Sequence, residues 1–199
     1  MSNKRALLLA SGGGQYNYAV LDPNTASAGL SITNTYRTIT RSSAAALFAG
    51  VLANVGKSAG KWYFEVKLDT AGGGGWNNFG ITAGGNNLAA NPAGWSTIPN
   101  IWDGFYGAVY NTGVSVATHA NLNASGAVFG FAVDLDTLTV KIYNAVTGAL
   151  LSTVTGITAA TYYPFLQLYR GGVAVMTANF GATPFTITAV PTGYNAGWY

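Results

Sequence analysis

Apolar and polar side chains alternate with a period of two in two segments of this sequence, residues 61–68 and residues 137–143. Successive side chains of a β-strand point to opposite faces, so this alternation predicts strands with one buried face and one solvent face. An amphipathic helix would instead repeat its apolar positions every 3.6 residues. The side chains expected to point inward are Trp62, Phe64, Val66, Leu138, Val140 and Ile142.

Other segments extend this pattern to the whole chain. Residues 127–133 and 173–178 are apolar on both faces, which predicts central strands or strands that face a partner. Turns are predicted at residues 134–137 and 144–148, and the 27 glycines and 6 prolines interrupt any long helix. Residues 44–53 fit either a helix or a buried strand with a turn. The sequence therefore predicts an all-β fold, a single antiparallel two-sheet sandwich.

Charged residues are scarce, at 8% of the chain against about 25% in ordinary domains. The nine basic and six acidic residues are scattered, so the net charge of +3 predicts no nucleic-acid partner. A surface with so few charges is poorly protected against association, which is typical of a protein in an assembly. A monomer with a neutral polar coat fits the composition equally well.

The first residues form a short apolar arm. The run of residues 6–10 contains Leu7, Leu8 and Leu9, but a secretory signal needs roughly 7–15 apolar residues, and a membrane span needs about 20. We therefore expect neither secretion by a signal peptide nor membrane insertion. We divide the chain into an arm, residues 1–15, and a sandwich domain, residues 16–199. The three leucines are expected to pack on another subunit or on a larger particle to which the protein belongs.

A series of short motifs resembles the SPRY domain, a concanavalin-like β-sandwich module. They occur in family order: residues 60–66 (GKWYFEV), 79–81 (FGI), 128–134 (VFGFAVD), 138–144 (LTVKIYN), 163–165 (YPF), 178–181 (ANFG), 184–185 (PF) and 191–194 (PTGY). One position departs from the pattern, because Asn144 is followed by Ala145 where the family usually has Asn-Gly. We expect that turn to be built differently.

The resemblance implies a non-catalytic domain that binds proteins or peptides through loops at one end of the sandwich. The Gly/Ala/Thr/Asn-rich style, with residues 110–113 (YNTG) before the Gly130 strand, resembles SPRY domains in structural proteins of tailed phages. This implies a virion protein, made in the host cytoplasm, that serves as capsid decoration, tail or fibre component. Its expected partners are other virion proteins and further copies of itself. The alternative is a lectin-like module that binds a host glycan or receptor protein.

The sequence contains no convincing catalytic or metal-binding motif. No pair of carboxylates is supported by a motif, and Glu65 is placed on the polar face of its strand. His119 is the sole histidine and is expected to be a solvated loop residue. Residues 56–58 (GKS) lack the spacing and the following helix of a phosphate loop. We predict no enzyme activity, no metal and no cofactor; Asp134 and Asp136 are assigned to a turn.

Aromatic residues in Gly/Asn-rich loops are the candidate binding residues. Residues 83–106 form the longest stretch without strand character, and such loops are usually functional or disordered. Each tryptophan there could contact a partner or close the end of the core, and for Trp102 we expect packing because Ile101 and Phe105 are its neighbours. Arg170 could be a polar anchor or a turn charge. The predicted binding residues are Trp76, Trp95, Trp102, Asp103, Tyr106 and Arg170.

Overall fold

The computed structural model describes residues 17–41, 47–71, 76–90, 97–104, 107–122, 124–169 and 173–199. These residues form one 3₁₀ turn, Pro23–Thr25, and thirteen strands. In chain order the strands are β1 (Ser31–Thr33), β2 (Thr38–Arg41), β3 (Phe48–Leu52), β4 (Lys61–Thr70), β5 (Trp76–Ala83), β6 (Asn100–Asp103), β7 (Ala108–Asn111), β8 (Val114–Thr118), β9 (Val128–Asp134), β10 (Thr139–Asn144), β11 (Ala149–Thr155), β12 (Tyr162–Tyr169) and β13 (Ala174–Asn179). The predicted arm lies outside the described residues, so its boundary stays a prediction.

The strands form two antiparallel sheets packed face to face. The seven-stranded sheet has the order β1-β2-β13-β4-β9-β10-β11, and the six-stranded sheet has the order β3-β12-β5-β6-β7-β8. This arrangement confirms the predicted antiparallel two-sheet sandwich. None of the described residues belongs to a helix long and apolar enough to cross a lipid bilayer.

The core between the sheets contains the inner side chains of the alternating strands. Phe64 of β4 and Phe131 of β9 stack with ring centroids 5.0 Å apart. Of the side chains predicted to point inward, four are fully buried, and Trp62 and Leu138 are half-buried against the core. The predicted strands 127–133 and 173–178 correspond to β9 and β13, which lie inside their sheet. Burial of these large side chains supplies most of the folding free energy.

The outer face of β4 differs from the prediction. Tyr63 and Glu65 are fully buried, because residues 180–199 (the C-terminal tail) fold back over this face. The Glu65 carboxylate accepts hydrogen bonds from the Tyr63 hydroxyl at 3.1 Å and from the backbone N–H groups of Thr186 and Ile187 at 2.8 and 2.9 Å. The expectation of a polar solvent face was wrong, since alternation along one strand does not show that a distant segment covers it.

The packing of Tyr63 explains why position 130 of the motif is a glycine. A Cβ at this position would lie 2.0 Å from the Tyr63 hydroxyl oxygen. The phenol crosses β9 at Gly130 to reach Glu65, so a larger residue there would displace it. Burial and the Glu65 charge also raise the pKa of Tyr63, which keeps its hydroxyl protonated and able to donate. The glycine and the tyrosine therefore belong to one packing unit.

The two predicted turns of the seven-stranded sheet are confirmed, and side-chain carboxyl and amide groups build both. The Asp134 carboxylate accepts hydrogen bonds from the N–H groups of Asp136 and Thr137. The Asn144 side chain likewise accepts from the N–H of Val146, and Gly148 then takes the left-handed conformation with φ +74°. The glycine needed by the second turn therefore comes four residues after Asn144 rather than directly after it.

Two further segments needed the structure to decide them. Within residues 44–53, Phe48–Leu52 form β3, so the strand interpretation holds for the described part. The predicted loop 83–106 contains β6, Asn100–Asp103, which pairs with β5 and β7. The prediction of an unbroken loop was wrong because four residues between turn signals are too few to show a period.

Candidate functional site

Six strand ends, three from each sheet, lie at one end of the sandwich, which we call the loop end. Tyr169, the last residue of β12, lies opposite Phe48 and Trp76, the first residues of β3 and β5. Ala174 at the start of β13 lies opposite Arg41 at the end of β2. The strand ends that flank residues 42–47, 71–75 and 170–173 therefore lie side by side in their sheets. The ends of strands in a rigid scaffold are a common place for binding residues.

An aromatic row, formed by Phe48, Tyr169 and Trp76, crosses three neighbouring strands at this end. The Phe48 and Tyr169 rings stack with centroids 4.2 Å apart and an interplanar angle of 29°. The Trp76 ring centroid lies 5.5 Å from that of Tyr169 and 6.0 Å from that of Phe48. Cross-strand aromatic pairs hold each other in place. The three rings therefore form one continuous apolar surface on the outer side of the six-stranded sheet.

This surface is open to solvent. Trp76 is 37% exposed, and Leu47, which directly precedes β3, and Val173, which directly precedes β13, are also exposed. Large exposed apolar side chains that cluster, rather than occurring singly, are typical of interaction sites. Phe48 and Tyr169 are half-buried, so their rings support Trp76 from the side. Within the row, Phe48 and Tyr169 are the fixed part and Trp76 is the part that a partner could reach.

Amide side chains fix the strands behind the row. Gln167, two residues before Tyr169 on β12, is fully buried and accepts a hydrogen bond from Asn78 at 3.0 Å. Its own amide N–H group donates to the carbonyl oxygens of Leu88 and Ala90, both at 2.9 Å. These bonds tie the segment after β5 onto the outer face of the sheet. Buried amides with satisfied partners favour a single arrangement of these strands.

Trp102 lies deeper on the same face. Its indole stacks on Tyr110 with centroids 4.1 Å apart and an interplanar angle of 5°. Leu88 and Phe165 complete the cluster, and Trp102 is buried. The expectation that Trp102 packs is confirmed by this burial.

Asp103 and His119 form a buried pair beneath the loop end, between the two sheets. His119 Nε2 lies 2.7 Å from Asp103 Oδ2, and both side chains are almost inaccessible to solvent. His119 Nδ1–H donates to the carbonyl oxygen of Ala120 at 2.8 Å. The description of His119 as a solvated loop residue was wrong, because β6 brings a carboxylate to it from 16 residues away.

The hydrogen-bond partners determine the protonation of this pair. Burial disfavours the imidazolium, but the hydrogen bond and charge of Asp103, with the Ala120 carbonyl, outweigh burial and raise the pKa of His119. Both ring nitrogens face acceptors, so the pair is satisfied when His119 carries two protons and Asp103 is ionised. A neutral ring would leave one acceptor without a donor unless Asp103 itself were protonated, and burial does raise the pKa of Asp103, although its hydrogen bond with His119 opposes that rise. The pair therefore links β6 to the segment after β8.

Gly107 lets the chain pass close to this pair. The residue has φ +71°, and a Cβ there would lie 2.5 Å from the His119 carbonyl oxygen. The His119 N–H in turn donates to the Gly107 carbonyl at 2.9 Å. The backbone around the pair is thus as tightly arranged as the side chains.

The acidic residues are occupied in structural roles. Each accepts a hydrogen bond or forms an ion pair in the described structure, and in the described part of the chain no group of three acidic or histidine side chains could hold a metal. The absence of a metal or cofactor stays a prediction. The acidic residues are Asp22, Glu65, Asp69, Asp103, Asp134 and Asp136.

The predicted binding residues fall into three groups. Trp76 is exposed at the loop end, whereas Trp102 and Asp103 are buried and could act on a partner only by supporting the surface above them. The others lie outside the described residues, and a binding role for any of the predicted residues stays a prediction. The residues outside are Trp95, Tyr106, Arg170 and the arm residues Leu7, Leu8 and Leu9.

Sequence reasoning missed Phe48, Tyr169 and His119 as members of this region. Phe48 lies two positions after the small residues 42–46 (SSAAA), and Tyr169 lies directly before residues 170–172 (RGG), which include two glycines. The same combination marks Trp76, which follows residues 72–75 (GGGG). An aromatic residue next to such a run was therefore a usable signal. Nothing in the sequence indicated the partner of His119.

Comparison with known proteins identifies the fold. No family model matches the sequence, and no curated protein matches it. Among solved structures, the SPRY domain of human HERC1 superposes with a TM-score of 0.65 at 17% identity, covering 82% of this chain and 99% of that one. The PSpry domain of TRIM65 gives a TM-score of 0.61 at 14% identity, covering 82% of this chain and 92% of that one. Stonustoxin gives 0.58 at 14% identity, covering 81% of this chain but 27% of that one.

These similarities extend over most of the chain at low sequence identity. Two of the three solved structures are SPRY domains matched over at least 92% of their length. Together with the sheet order described above, they show that this chain has the concanavalin-like β-sandwich fold of SPRY domains.

Proposed function

We propose that this chain is a non-enzymatic interaction module that binds its partner at the loop end. We further propose that it serves in the virion of a tailed phage, as a capsid decoration, tail or fibre component. The aromatic row of Phe48, Tyr169 and Trp76 is the observation that carries the first proposal. The fold supports it as well. The structurally similar HERC1 and TRIM65 domains are SPRY domains, and the SPRY fold suggests a protein-interaction module.

The chemistry of the row suits a protein surface. Aromatic rings supply a large contact area and lose little side-chain entropy when they bind. Trp76 is exposed, and neither it nor the Phe48 and Tyr169 rings that it contacts carries a charge. Interfaces concentrate their binding energy in such desolvated aromatic anchors. We therefore assign the main partner contact to Trp76.

The non-enzymatic part of the proposal rests on how the titratable groups are used. A catalytic histidine needs one ring nitrogen directed at the reacting group. In His119 one nitrogen is engaged by Asp103 and the other by the Ala120 carbonyl. Glu65 is likewise enclosed by three donors beneath the C-terminal tail. These groups hold the fold together instead of facing a substrate.

The virion role rests on composition and on the resemblance to phage structural proteins. Only 8% of the residues are charged, so copies of the chain, or the chain and a neighbouring particle protein, repel one another little on close approach. We propose other virion proteins and further copies of the chain as its partners. The residue 1–15 arm would contribute a second contact through Leu7, Leu8 and Leu9.

Particle incorporation tests both parts of the proposal. Mass spectrometry of purified phage particles should detect the protein among the structural proteins. Trp76→Ala should reduce incorporation, whereas Tyr36→Asn should not, because Tyr36 is 46% exposed but lies in the β1–β2 turn at the opposite end. Deleting residues 1–14 should leave a folded domain that incorporates poorly. Absence of the wild-type protein from particles would refute the virion role.

Glycan binding is a second candidate function, favoured by the exposed face of Trp76. Sugar rings stack on aromatic faces through their C–H groups, and three adjacent rings offer an extended platform. If the row binds a host glycan, adding surface polysaccharide should quench tryptophan fluorescence, and Trp76→Ala should abolish the quenching while the melting temperature stays unchanged. Quenching that survives Trp76→Ala would place the glycan elsewhere.

A further inference from the structure

Residues 119–122, which directly follow β8, are attached to the sandwich by few buried side chains. Four of the five residues of β8 are exposed, and so are Ala120 and Asn121. Leu122 is half-buried against the core, and the His119 side chain is only 4% exposed. Parts of a domain with few buried apolar contacts open at the lowest free-energy cost. The imidazole of His119 is therefore a main attachment of this segment.

His119 makes three hydrogen-bonded contacts beneath the loop end. Its Nε2 atom lies 2.7 Å from Asp103 Oδ2 at the end of β6, and its backbone N–H donates to the Gly107 carbonyl at 2.9 Å. Its Nδ1 atom lies 2.8 Å from the carbonyl oxygen of Ala120. The hydrogen bond of one ring nitrogen sets the orientation in which the other meets its partner. The three contacts thus hold the segment against β6 and the start of β7.

The two ring contacts together need two protons. Each places an oxygen acceptor beside a ring nitrogen, and it is a hydrogen bond only when one hydrogen lies between the two atoms. This count is the same whether the proton shared with Asp103 belongs to the ring or to the carboxyl group. With one proton fewer, one contact brings two lone pairs together at 2.7 or 2.8 Å. The arrangement is therefore favourable only while the pair holds both protons.

The surroundings of the pair offer no substitute for the lost proton. The space beside it has a volume of about 10 Å³, at the lower limit for a single water molecule. Apart from Asp103 and His119, the described residues that line this space are uncharged. On β4, Lys67 and Asp69 are the nearest charged residues in the chain, but they pair with each other at 2.7 Å and are partly exposed. The strands that face the pair contribute Leu68, Asn77, Phe79 and Phe129.

We propose that Asp103 and His119 form a pH-sensitive switch, which holds residues 119–122 against the sandwich while it carries two protons and releases them when it loses one. The two sheets stay folded during this release, because Ala124 and Gly126 resume backbone hydrogen bonding beyond the segment. The switch needs no bound partner. It therefore goes beyond the proposed partner contact and can be tested apart from it.

The direction of the switch follows from the environment of the pair. Burial disfavours the imidazolium, but Asp103 and the Ala120 carbonyl outweigh it and raise the pKa of His119. The segment is therefore held at the ordinary histidine value of about 6.5 and is released as pH rises through the higher folded value. Because the two groups are coupled, the titration belongs to the pair.

Amide hydrogen exchange, followed by NMR on the full chain, tests the proposal. Protection of the residue 119 amide, which donates to Gly107, should fall by up to about tenfold per pH unit above the folded value, since opening releases one proton. Amides in the central strands β4 and β9 should stay more protected at every pH, because they exchange only in larger openings. A residue 119 amide whose protection ignores pH, or always equals that of β4 and β9, would overturn the proposal.

Two variants of the pair separate a switch from a merely structural contact. In Asp103→Asn the new amide can donate to Nε2 of a neutral ring while Nδ1–H still donates to Ala120, so the segment should stay held at high pH and the pH dependence should disappear. His119→Gln should also remove the pH dependence, but with low protection throughout.

Asp69→Asn is the matched control, since it removes a carboxylate from the more exposed pair with Lys67 and should keep the wild-type slope. Thermal melting of each variant checks that the domain is folded. If Asp103→Asn kept the wild-type slope, or if Asp69→Asn abolished it, the pair would not be the switch. The wild-type exchange profile decides the matter by itself should a variant fail to fold.

Discussion

The outer faces of the two sheets differ in how far other residues of the chain cover them. On the seven-stranded sheet, the C-terminal tail covers Tyr63 and Glu65 and packs Ile187 against them. On the six-stranded sheet, residues near Leu88 cover part of the outer face, and Trp76 stays 37% exposed. The chain thus buries one face with its own residues and leaves Trp76 partly open on the other. We propose that the first face serves stability and the second serves binding.

Hydrogen bonding explains why the tail belongs to the fold. A buried carboxylate without partners would cost several kcal/mol, so Glu65 is tolerable only with its three donors. Trp198 anchors the end of the tail: it is fully buried, and its indole N–H donates to the Val55 carbonyl at 2.8 Å. In the aromatic row, by contrast, Trp76 is 37% exposed, so less of the folding free energy depends on its burial.

The largest expected difference between the two faces comes from removing one tryptophan on each. Trp198→Ala should destabilise the domain by about 3–5 kcal/mol, because it leaves a cavity beside Phe64 and an unpaired carbonyl at Val55. Urea unfolding measures the loss, with Trp76→Ala as the chemically identical change on the open face. Equal losses for the two variants would contradict the division of roles.

The next largest effect concerns the carboxylate under the tail. Glu65→Ala should cost about 2–3 kcal/mol, since the buried N–H groups of Thr186 and Ile187 lose their acceptor. Hydrogen exchange at these two amides should accelerate more than exchange in β12 on the other sheet. Glu65→Gln keeps one acceptor oxygen and should cost less. Unchanged protection of both amides would show that the tail is held by packing alone.

A smaller effect should follow from the buried pair beneath the loop end. The folded-state pKa of His119 is raised, so its stabilising contribution is fully present below the ordinary value of about 6.5 and is lost as pH rises through the folded value. Stability should therefore fall by at most about 1.4 kcal/mol per pH unit over that window.

Because the chain has a single histidine, the pH dependence of stability near neutral pH can be assigned to His119. His119 is the sole histidine and the chain has no cysteine, so few other groups titrate near neutral pH. His119→Gln should flatten the profile of unfolding free energy against pH above 6.5. A profile that keeps its slope in this variant would assign the proton uptake to another group.

The smallest stability effect is expected at the open face. Trp76→Ala should change the free energy of unfolding by less than about 1 kcal/mol, because over a third of the side chain already contacts solvent. The same change should nevertheless impair partner binding. Calorimetric melting checks the first expectation, and a loss resembling that of Trp198→Ala would mean that the aromatic row is core.

Local patterns were sufficient for much of the fold. The alternation in residues 61–68 placed Phe64 and Val66 in the core, and the apolar run before Asp134 marked a central strand. The turn-forming residues Asp134 and Asn144 could also be recognised in the sequence. These features depend on residues within a few positions of one another, and the two-residue period of a strand shows which face of each strand is apolar.

What the sequence alone determined was the class of fold, the inner faces of its strands and its turns. Only the tertiary structure decided that Glu65 is buried, that His119 meets Asp103, and that Trp76 joins two aromatic residues on neighbouring strands. Phe48 and Tyr169 are 121 positions apart in the sequence, yet their rings stack because β3 and β12 are paired. Alternation reports which face of a strand is apolar, but only the order of strands in the sheets determines what that face touches.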